Sequence, residues 1–252
     1  MALNAINREF YTTFAEQFSR SRSAPWSGWG RVLGHLKASW VSCAPGTPAD
    51  EPLIGDVGCG NGRFGCFAAR TLHRPIRYVG LDSSASLLQA ARSALQGVGS
   101  VTLVEHDLVL APIERPLPRA AMSGAALIAV FGVMHHLPGR RRRLALVTAF
   151  GRELPPGGVL ALSFWRFGGE RFCRRRVPWS QIEDRLEIPL DALEPGDVLL
   201  RWGSSEAAVR YCHLVDQSEI SQLLEATGLD CIDHFTADGH SDDLNEYFVL
   251  RR

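Results

Sequence analysis

Short apolar runs alternate with amphipathic segments along most of the chain. The apolar runs predict buried strands, and they occupy residues 53–57, 76–82, 101–104, 125–130 and 159–165. Segments with helical spacing of apolar residues precede, separate and follow these runs, at 7–22, 32–40, 64–72, 85–95, 140–150 and 216–227. Two further strands are predicted over 229–235 and 246–250. Strands that alternate with helices in this way indicate an α/β fold with a parallel sheet.

The first strand runs directly into a glycine-rich loop with the pattern Asp56-x-Gly58-x-Gly60-x-Gly62. Glycine has no side chain, so such a loop lets a ligand approach the backbone closely. Dinucleotide folds place a third glycine three positions after the second, where this chain has Arg63. The loop therefore favours another nucleoside ligand, and an ordinary tight turn is the alternative.

Acidic residues end the second and third strands. Asp82 lies about 20 residues beyond the loop, the position from which a carboxylate holds both ribose hydroxyls of a nucleoside. Enzymes that bind NAD use the same device, so Asp82 indicates a nucleoside without choosing which one. Asp107 follows the third strand, where it either meets an adenine amino group or forms a plain turn.

Two adjacent histidines, His135 and His136, follow the fourth strand. Ligands of doubly wound sheets bind at the carboxyl ends of the strands, so these histidines are candidate site residues, with helix capping as the alternative. No metal site is predicted, because no third ligand is spaced near them.

The chain has 252 residues, 46% of them hydrophobic, with a formal net charge of zero. This length predicts a single domain over 1–252, with an N-terminal helical cover over 1–50 and a basic insert over 166–212. The insert is either a receiver of a polyanion or a solvent-exposed loop, and it contains Arg171, Arg174, Arg175, Arg176, Trp179, Arg201 and Trp202.

The amino-acid composition excludes several further types of chemistry and location. Lys37 is the only lysine, which excludes Schiff-base chemistry. The six cysteines form no Cys-x-x-Cys pair and no apolar leader opens the chain, so a cytoplasmic protein with reduced thiols is expected. No run approaches the roughly 20 apolar residues of a membrane span.

Several motifs together resemble a known family. They read Phe-Tyr-x-x-Phe-Ala-x-x-Phe-Ser-x-x-Arg-x-x-Pro-Trp at 10–26, Asp-Val-Gly-Cys-Gly-Asn-Gly at 56–62, Val-Met-His-His-Leu at 133–137 and Arg-Tyr-Cys-His-Leu at 210–214. The chain resembles the class I methyltransferases that use S-adenosylmethionine (SAM). More narrowly, it resembles the tRNA wobble-uridine methyltransferases, which esterify 5-carboxymethyluridine in the anticodon. It departs from the usual Pro-Trp-Pro of that family at Ser27.

This resemblance implies a Rossmann-like seven-stranded sheet, mostly parallel, with an antiparallel C-terminal hairpin. It also implies SAM as cofactor, tRNA as partner, and a small zinc-binding activator protein as a candidate partner. The residues expected to hold SAM are Tyr11, Asp56, Gly58, Gly60, Asn61, Asp82, Ser83, Asp107, Leu108 and Val130. Those expected to face the modified base are Arg22, His135, His136, Arg210 and His213.

The chemical group that receives the methyl determines which side chains the site must contain. A carboxylate with a reference pKa near 4 is already ionised at neutral pH, so it needs a cation such as Arg22 or Arg210 and no general base. A hydroxyl or amine acceptor would need His135 or His136 as a base. A small-metabolite methyltransferase, a SAM-fold scaffold without catalysis and a nicotinamide oxidoreductase remain alternatives at this stage.

Overall fold

The computed structural model describes residues 2–22, 24–41, 51–182, 189–203 and 205–252, and within these ranges all side chains except those of 38–41, 170 and 171. The prolines and glycine of residues 44–52 predict a linker into the first strand, and this segment lies outside the described residues except for its last two positions. Cys43 and the side chain of Arg171 lie outside them as well.

Seven strands form the central sheet, in the order β3-β2-β1-β4-β5-β10-β9. Their bounds are β1 Leu53–Val57, β2 Ile76–Asp82, β3 Gly99–Glu105, β4 Leu127–Val130, β5 Val159–Trp165, β9 Asp230–Ala237 and β10 Asn245–Arg251. Strands β1 to β5 are parallel, and β10 runs antiparallel to both β5 and β9. The predicted sheet and its antiparallel C-terminal hairpin are confirmed.

Helices cover both faces of this sheet, which explains why the central strands read as unbroken apolar runs. The main helices are α1 Ala2–Arg20, α2 Gly28–Val41, α3 Arg63–Leu72, α4 Ala85–Ala94, α5 Arg140–Glu153 and α7 Gln217–Thr227. Helices α2, α3 and α4 share one core with the sheet, and α5 and α7 share the other. Every residue of β1 and of β4 is buried.

Helices α5 and α7 touch at a glycine. A Cβ added at Gly151 would lie 2.1 Å from the carbonyl oxygen of Thr227, closer than any side chain allows. The glycine therefore sets the distance between the two helices on this face.

A second sheet occupies the segment that was expected to be a basic insert. It is antiparallel in the order β6-β7-β8, with β6 Arg176–Val177, β7 Asp197–Arg201 and β8 Val209–His213, and the short helix α6 Glu170–Cys173 precedes it. Strand β8 packs against α1, where the side-chain oxygen of Asn7 accepts a hydrogen bond from the Tyr211 backbone N–H at 2.9 Å. Part of the segment is therefore ordered sheet, a difference from the expected loop.

A buried charge network joins the second sheet to α5 and α7. Arg143, whose side chain is 1% exposed, donates to Glu194 and Glu219 at 2.7 Å each. His213 lies within 2.7 Å of Asp197 and 2.9 Å of Glu219. Burial disfavours a charged imidazole, but the hydrogen bonds to Asp197 and Glu219 outweigh it and raise the pKa of His213.

None of the helices in the described ranges combines the length and apolarity needed to cross a membrane.

The raised pKa of His213 predicts a pH-dependent stability. A raised folded pKa contributes stability that is fully present below the unfolded value of about 6.5 and is lost as the pH rises through the folded value. His213→Gln should therefore destabilise the protein by about 1–3 kcal/mol near pH 6, and by less at pH 8.5. Urea unfolding at pH 6, 7 and 8.5 measures this difference.

The exposed His240 offers a matched control, since His240→Gln removes an imidazole outside the network. A penalty for His213→Gln that is constant or grows with pH would contradict a charged imidazole in the folded state.

Candidate active site

A cavity of about 400 Å³ opens at the carboxyl ends of the parallel strands. Its walls come from the loop after β1, the ends of β2 and β3, and residues 131–137 after β4, with α1 and β8 on the opposite side. The parallel strands end at one edge of the sheet, where doubly wound folds bind their ligands.

The glycine loop leaves space for a ligand against its backbone. Gly58 and Gly60 have φ of 71° and 53°, a conformation that favours glycine. A Cβ at Gly58 would lie 2.4 Å from Cγ2 of Val133, whereas a Cβ at Gly60 would meet no atom within 4 Å. Gly60 therefore faces open space beside the cavity, as a cofactor cradle requires.

The end of β2 holds this loop. The backbone N–H groups of Gly58 and Cys59 both donate to the carbonyl oxygen of Leu81, at 2.7 and 2.9 Å. Asp82 accepts from the Gly60 N–H at 2.8 Å with Oδ2 and from the Ser84 N–H at 2.9 Å with Oδ1. The carboxylate that is expected to bind ribose thus also fixes the loop.

Burial raises the pKa values of Asp56 and Asp82. Asp56 is 3% exposed, and burial raises its pKa to about 7, although the Tyr78 hydroxyl donates to it at 2.5 Å and opposes the shift. Burial also raises the pKa of Asp82, against the hydrogen bonds from the Ser84 and Gly60 N–H groups. A cationic ligand would favour the ionised form of each.

The N-terminal helix closes the cavity beside β3. Asn4 donates to Oδ2 of Asp107 at 2.9 Å, and Oδ1 of Asp107 accepts from the N–H groups of Val109 and Leu110. Asp107 is therefore fixed from both sides, with its neighbour Leu108 also on the cavity wall.

His136 joins α1 to β8 across the cavity wall. Its Nδ1 lies 3.0 Å from the carbonyl oxygen of Tyr211, which only accepts, so Nδ1 carries the proton. Its Nε2 then accepts from the Tyr11 hydroxyl at 3.0 Å. Burial and the charge of Arg210 lower the pKa of His136 to about 3, so the imidazole is neutral.

His135 lies beside it, with ring centroids 4.2 Å apart. Its ring also packs 5.0 Å from Trp165, and its Nδ1 has no hydrogen-bond partner among the described residues. Burial, followed by the neighbouring His136 and Arg210, lowers its pKa well below 6.5. Both histidines are therefore neutral across the physiological range.

Two arginines reach the same end of the cavity. Arg210 is 5% exposed and its guanidinium lies 5.2 Å from the Phe10 ring centroid and 5.6 Å from that of Trp165. Burial and the charge of Arg210 lower the pKa of Arg22, whose guanidinium packs on Phe18. Within the described ranges neither arginine pairs with a carboxylate, so both positive charges remain uncompensated.

The structure brings most of the expected site residues to this one cavity. Those that line it are Tyr11, Arg22, Asp56, Gly58, Gly60, Asn61, Asp82, Ser83, Asp107, Leu108, His135, His136 and Arg210.

Two expected residues lie elsewhere. Val130 is fully buried in β4, where its side chain packs in the core that α5 and α7 cover. His213 is 2% exposed and holds the charge network beneath the second sheet, because Asp197 and Glu219 occupy both of its ring nitrogens. Neither residue is among those that line the cavity.

Other wall residues were missed. Arg63 lines the cavity, but the glycine pattern identifies it only as the position where a dinucleotide loop would have its third glycine. Trp165 also lines the cavity, and its position at the carboxyl end of a predicted strand was a signal that could have identified it. Asn4, Asn7 and Trp29 also line the cavity, and nothing in their spacing distinguishes them from ordinary helix residues.

A third possible metal ligand does approach the histidines in space. The ligand atoms of His135, His136 and Cys212 lie within 4.8 Å of one another. Both ring nitrogens of His136 are hydrogen-bonded, and burial raises the pKa of Cys212 to about 12, which disfavours the thiolate. These three side chains therefore form a cluster of neutral polar groups, which suits hydrogen bonding better than metal binding.

The comparisons with known proteins agree with this geometry. The family profile of a methyltransferase domain matches residues 56–160. A protein of Encephalitozoon cuniculi, named only as a methyltransferase, is 27% identical over 90% of this chain and 88% of its own length. The tRNA (carboxymethyluridine(34)-5-O)-methyltransferase of Schizosaccharomyces pombe is 24% identical over 92% of this chain and 91% of its own length.

Another relative is longer. The chain spans 33% of the Bos taurus protein named "Probable tRNA methyltransferase 9B", with 28% identity over 69% of this chain. Among solved structures, the magnesium protoporphyrin IX methyltransferase of Synechocystis aligns with a TM-score of 0.59 and 14% identity, over 99% of both chains, which shows a shared fold. With a methyltransferase domain over 56–160 and an acid-and-glycine loop at the carboxyl edge of this sheet, the chain is a SAM-dependent methyltransferase.

Proposed function

We propose that the protein transfers the methyl group of SAM to the carboxylate of a carboxymethyl group on the wobble uridine of tRNA. The observation that carries the proposal is the uncompensated charge of Arg210 and Arg22 beside the aromatic wall of the cavity. The tRNA and carboxymethyluridine in the names of distant relatives support the same acceptor.

The cofactor is proposed to lie along the glycine loop. Asp82 would hold the ribose hydroxyls, Asp107 would lie at the adenine, and Asp56 would face the ammonium of the methionine end. When bound, SAM supplies an electrophilic methyl group on a sulfonium. This placement leaves the part of the cavity beside Arg210 and the histidines to the acceptor.

A carboxylate fits that remaining space. A guanidinium binds a carboxylate through two parallel hydrogen bonds, which fixes the oxygen that attacks without removing its charge. Phe10 and Trp165 flank Arg210, so they exclude water from the pair and strengthen it. An acceptor without negative charge would leave the buried Arg210 and the half-buried Arg22 unpaired.

The histidines fit an acceptor that needs no base. Nε2 of His136 already accepts the Tyr11 proton, and Nδ1 donates to the Tyr211 carbonyl oxygen. His136 thus positions Tyr11 next to Arg210, whose charge lowers the Tyr11 pKa against the larger effect of burial, which raises it. Both histidines have lowered pKa values, so neither titrates between pH 6 and 8.

A surface near the cavity supports binding of a polyanion. Arg174, Arg175 and Arg176 are exposed where α6 leads into β6, whose first residue is Arg176, and Arg175 also reaches the cavity wall. Contacts from such arginines to phosphates would hold the anticodon loop while the modified base enters the cavity. The activator protein and the cytoplasmic location expected from the sequence stay predictions.

The cofactor placement is tested at Asp82. Asp82→Ala should weaken binding of S-adenosylhomocysteine (SAH) by roughly 10- to 100-fold, because hydrogen bonds to a charged group contribute about 1.5–3 kcal/mol each. Calorimetry measures the affinity, with Glu105→Ala as control, an exposed acid at the end of β3 outside the cavity. Unchanged affinity in Asp82→Ala would refute the placement.

The acceptor is tested by the pH dependence of the chemical step. The single-turnover rate should stay nearly flat from pH 6 to 8, since the acceptor is ionised and both histidines stay neutral. Arg210→Met should lower the rate at least 10-fold at every pH, whereas the exposed Arg92→Met should not. His136→Gln should retain activity, because an amide also offers one donor and one acceptor.

A rate that climbs steeply through pH 6 to 7, and a slope that disappears in His136→Gln, would instead show a histidine base. That result would replace the carboxylate with a hydroxyl or amine acceptor.

The RNA surface is tested by its salt dependence. Replacing Arg174, Arg175 and Arg176 with alanine should weaken tRNA binding and reduce the slope of log affinity against log salt by about 2. The matched control removes three exposed arginines outside the cavity wall, Arg70, Arg77 and Arg92. Failure of the wild type to bind tRNA at low salt would favour a small-metabolite acceptor.

A further inference from the structure

A third uncompensated guanidinium, that of Arg63, belongs to the same cavity. Burial and then the charge of Arg22 lower the pKa of Arg63 to about 10. Arg22 in turn is affected by the charge of Arg210. Arg22, Arg63 and Arg210 all line the cavity, so three positive side chains face it.

The segment after α1 holds Arg22 against the glycine loop. Asn61 donates to the Ser19 hydroxyl at 3.0 Å, and Arg63 donates through Nη1 to the carbonyl oxygen of Ala24. Arg22 lies in the chain between these two contacts. These contacts fix the chain on both sides of Arg22, whose guanidinium packs on Phe18 and lines the cavity.

Aromatic rings enclose Arg63 without neutralising it. Its guanidinium lies 4.8 Å from the Trp29 ring centroid and 5.6 Å from that of Trp26. The nearby acids are engaged elsewhere: Asp56 accepts from Tyr78, and Asp238 accepts from Asn245 and Tyr247. No carboxylate of the described residues forms an ion pair with Arg63.

The charges around Arg63 match the two ends of an α-amino acid. Asp56 near the end of β1 and Arg63 at the start of α3 both line the cavity, so an acid and a cation flank the glycine loop. SAM carries an ammonium and a carboxylate on one carbon atom. A lone phosphate would match the cation and leave Asp56 without a partner.

We propose that Arg63 and Arg22 form the subsite for the α-carboxylate of SAM, with Asp56 facing the α-ammonium. Arg22 then serves two anions, the cofactor carboxylate on its Arg63 side and the acceptor on its Arg210 side. The inference rests on SAM as cofactor and is independent of the tRNA acceptor. A phosphate of the acceptor RNA is the other source of the same oxyanion chemistry.

The test compares SAH with its decarboxylated analogue, which keeps the amine and lacks the carboxylate. The wild type should bind SAH roughly 10- to 100-fold more tightly than the analogue, as expected for charge-assisted hydrogen bonds. Arg63→Met, which keeps the apolar stem between the tryptophans, should lose most of the preference for SAH, with Arg22 retaining the remainder, and leave the affinity for the analogue unchanged. Calorimetry on the full chain measures all four affinities.

Two further variants sharpen the comparison. Arg63→Lys should retain an intermediate preference for SAH, because it keeps the charge and loses the second hydrogen bond. Arg70→Met, on the exposed side of the same helix, should behave like the wild type. Neither measurement involves methyl transfer, so failure of the tRNA proposal would leave these results unaffected.

Other outcomes would overturn the assignment. If Arg63→Met weakens SAH and the analogue equally, Arg63 only supports the glycine loop. If it changes neither affinity but weakens tRNA binding and flattens its salt dependence, the anion is an RNA phosphate and the cofactor assignment is wrong. If it changes none of these, Arg63 binds no anion.

Discussion

The hydrogen bonds between the end of β2 and the glycine loop are the constraint on which the rest of the site depends. One carbonyl oxygen, that of Leu81, and one carboxylate, that of Asp82, together bind three successive backbone N–H groups of the loop. A loop held in this way keeps its positive φ values at the glycines and cannot collapse into the space beside Gly60. The same carboxylate lines the cavity, so the side chain that fixes the loop is also the one proposed to bind the ribose.

A second layer of contacts is built onto this cradle by elements outside the central sheet. Helix α1 reaches Asp107 through Asn4 and His136 through Tyr11, and its end reaches the glycine loop through Ser19 and Asn61. The second sheet contributes Arg210 to the cavity, and the charge network around Arg143 joins this sheet to α5 and α7. Polar contacts, and not only apolar packing, therefore position the side of the cavity that α1 and β8 form.

The sequence predicted the sheet well because its central strands are buried on both faces and read as continuous apolar runs. The position of the glycine loop at the cavity was also predictable, since an acid and glycines at a strand end have a direct physical meaning. His213 and Val130 do not line the cavity, and the sequence could not show this because burial and partners depend on the tertiary fold: nothing in the chain near His213 indicates that Asp197 and Glu219 surround it. The second sheet was not predicted because its strands are only two to five residues long and far apart in the sequence. Arg63 was missed because its neighbours in space, Trp26 and Trp29, lie more than thirty positions earlier.

Two sets of elements divide the cavity between them. The cradle is made by β1, β2 and the loops that follow the parallel strands, whereas the acceptor wall is made largely by α1 and β8. Because α1 and β8 lie outside the main sheet, substitutions at Phe10 or Arg210 on this wall would leave the contacts between β2 and the glycine loop in place. The molecule thus keeps the loop that the main sheet builds apart from the wall that α1 and β8 build, and the two meet where Asn61 binds Ser19.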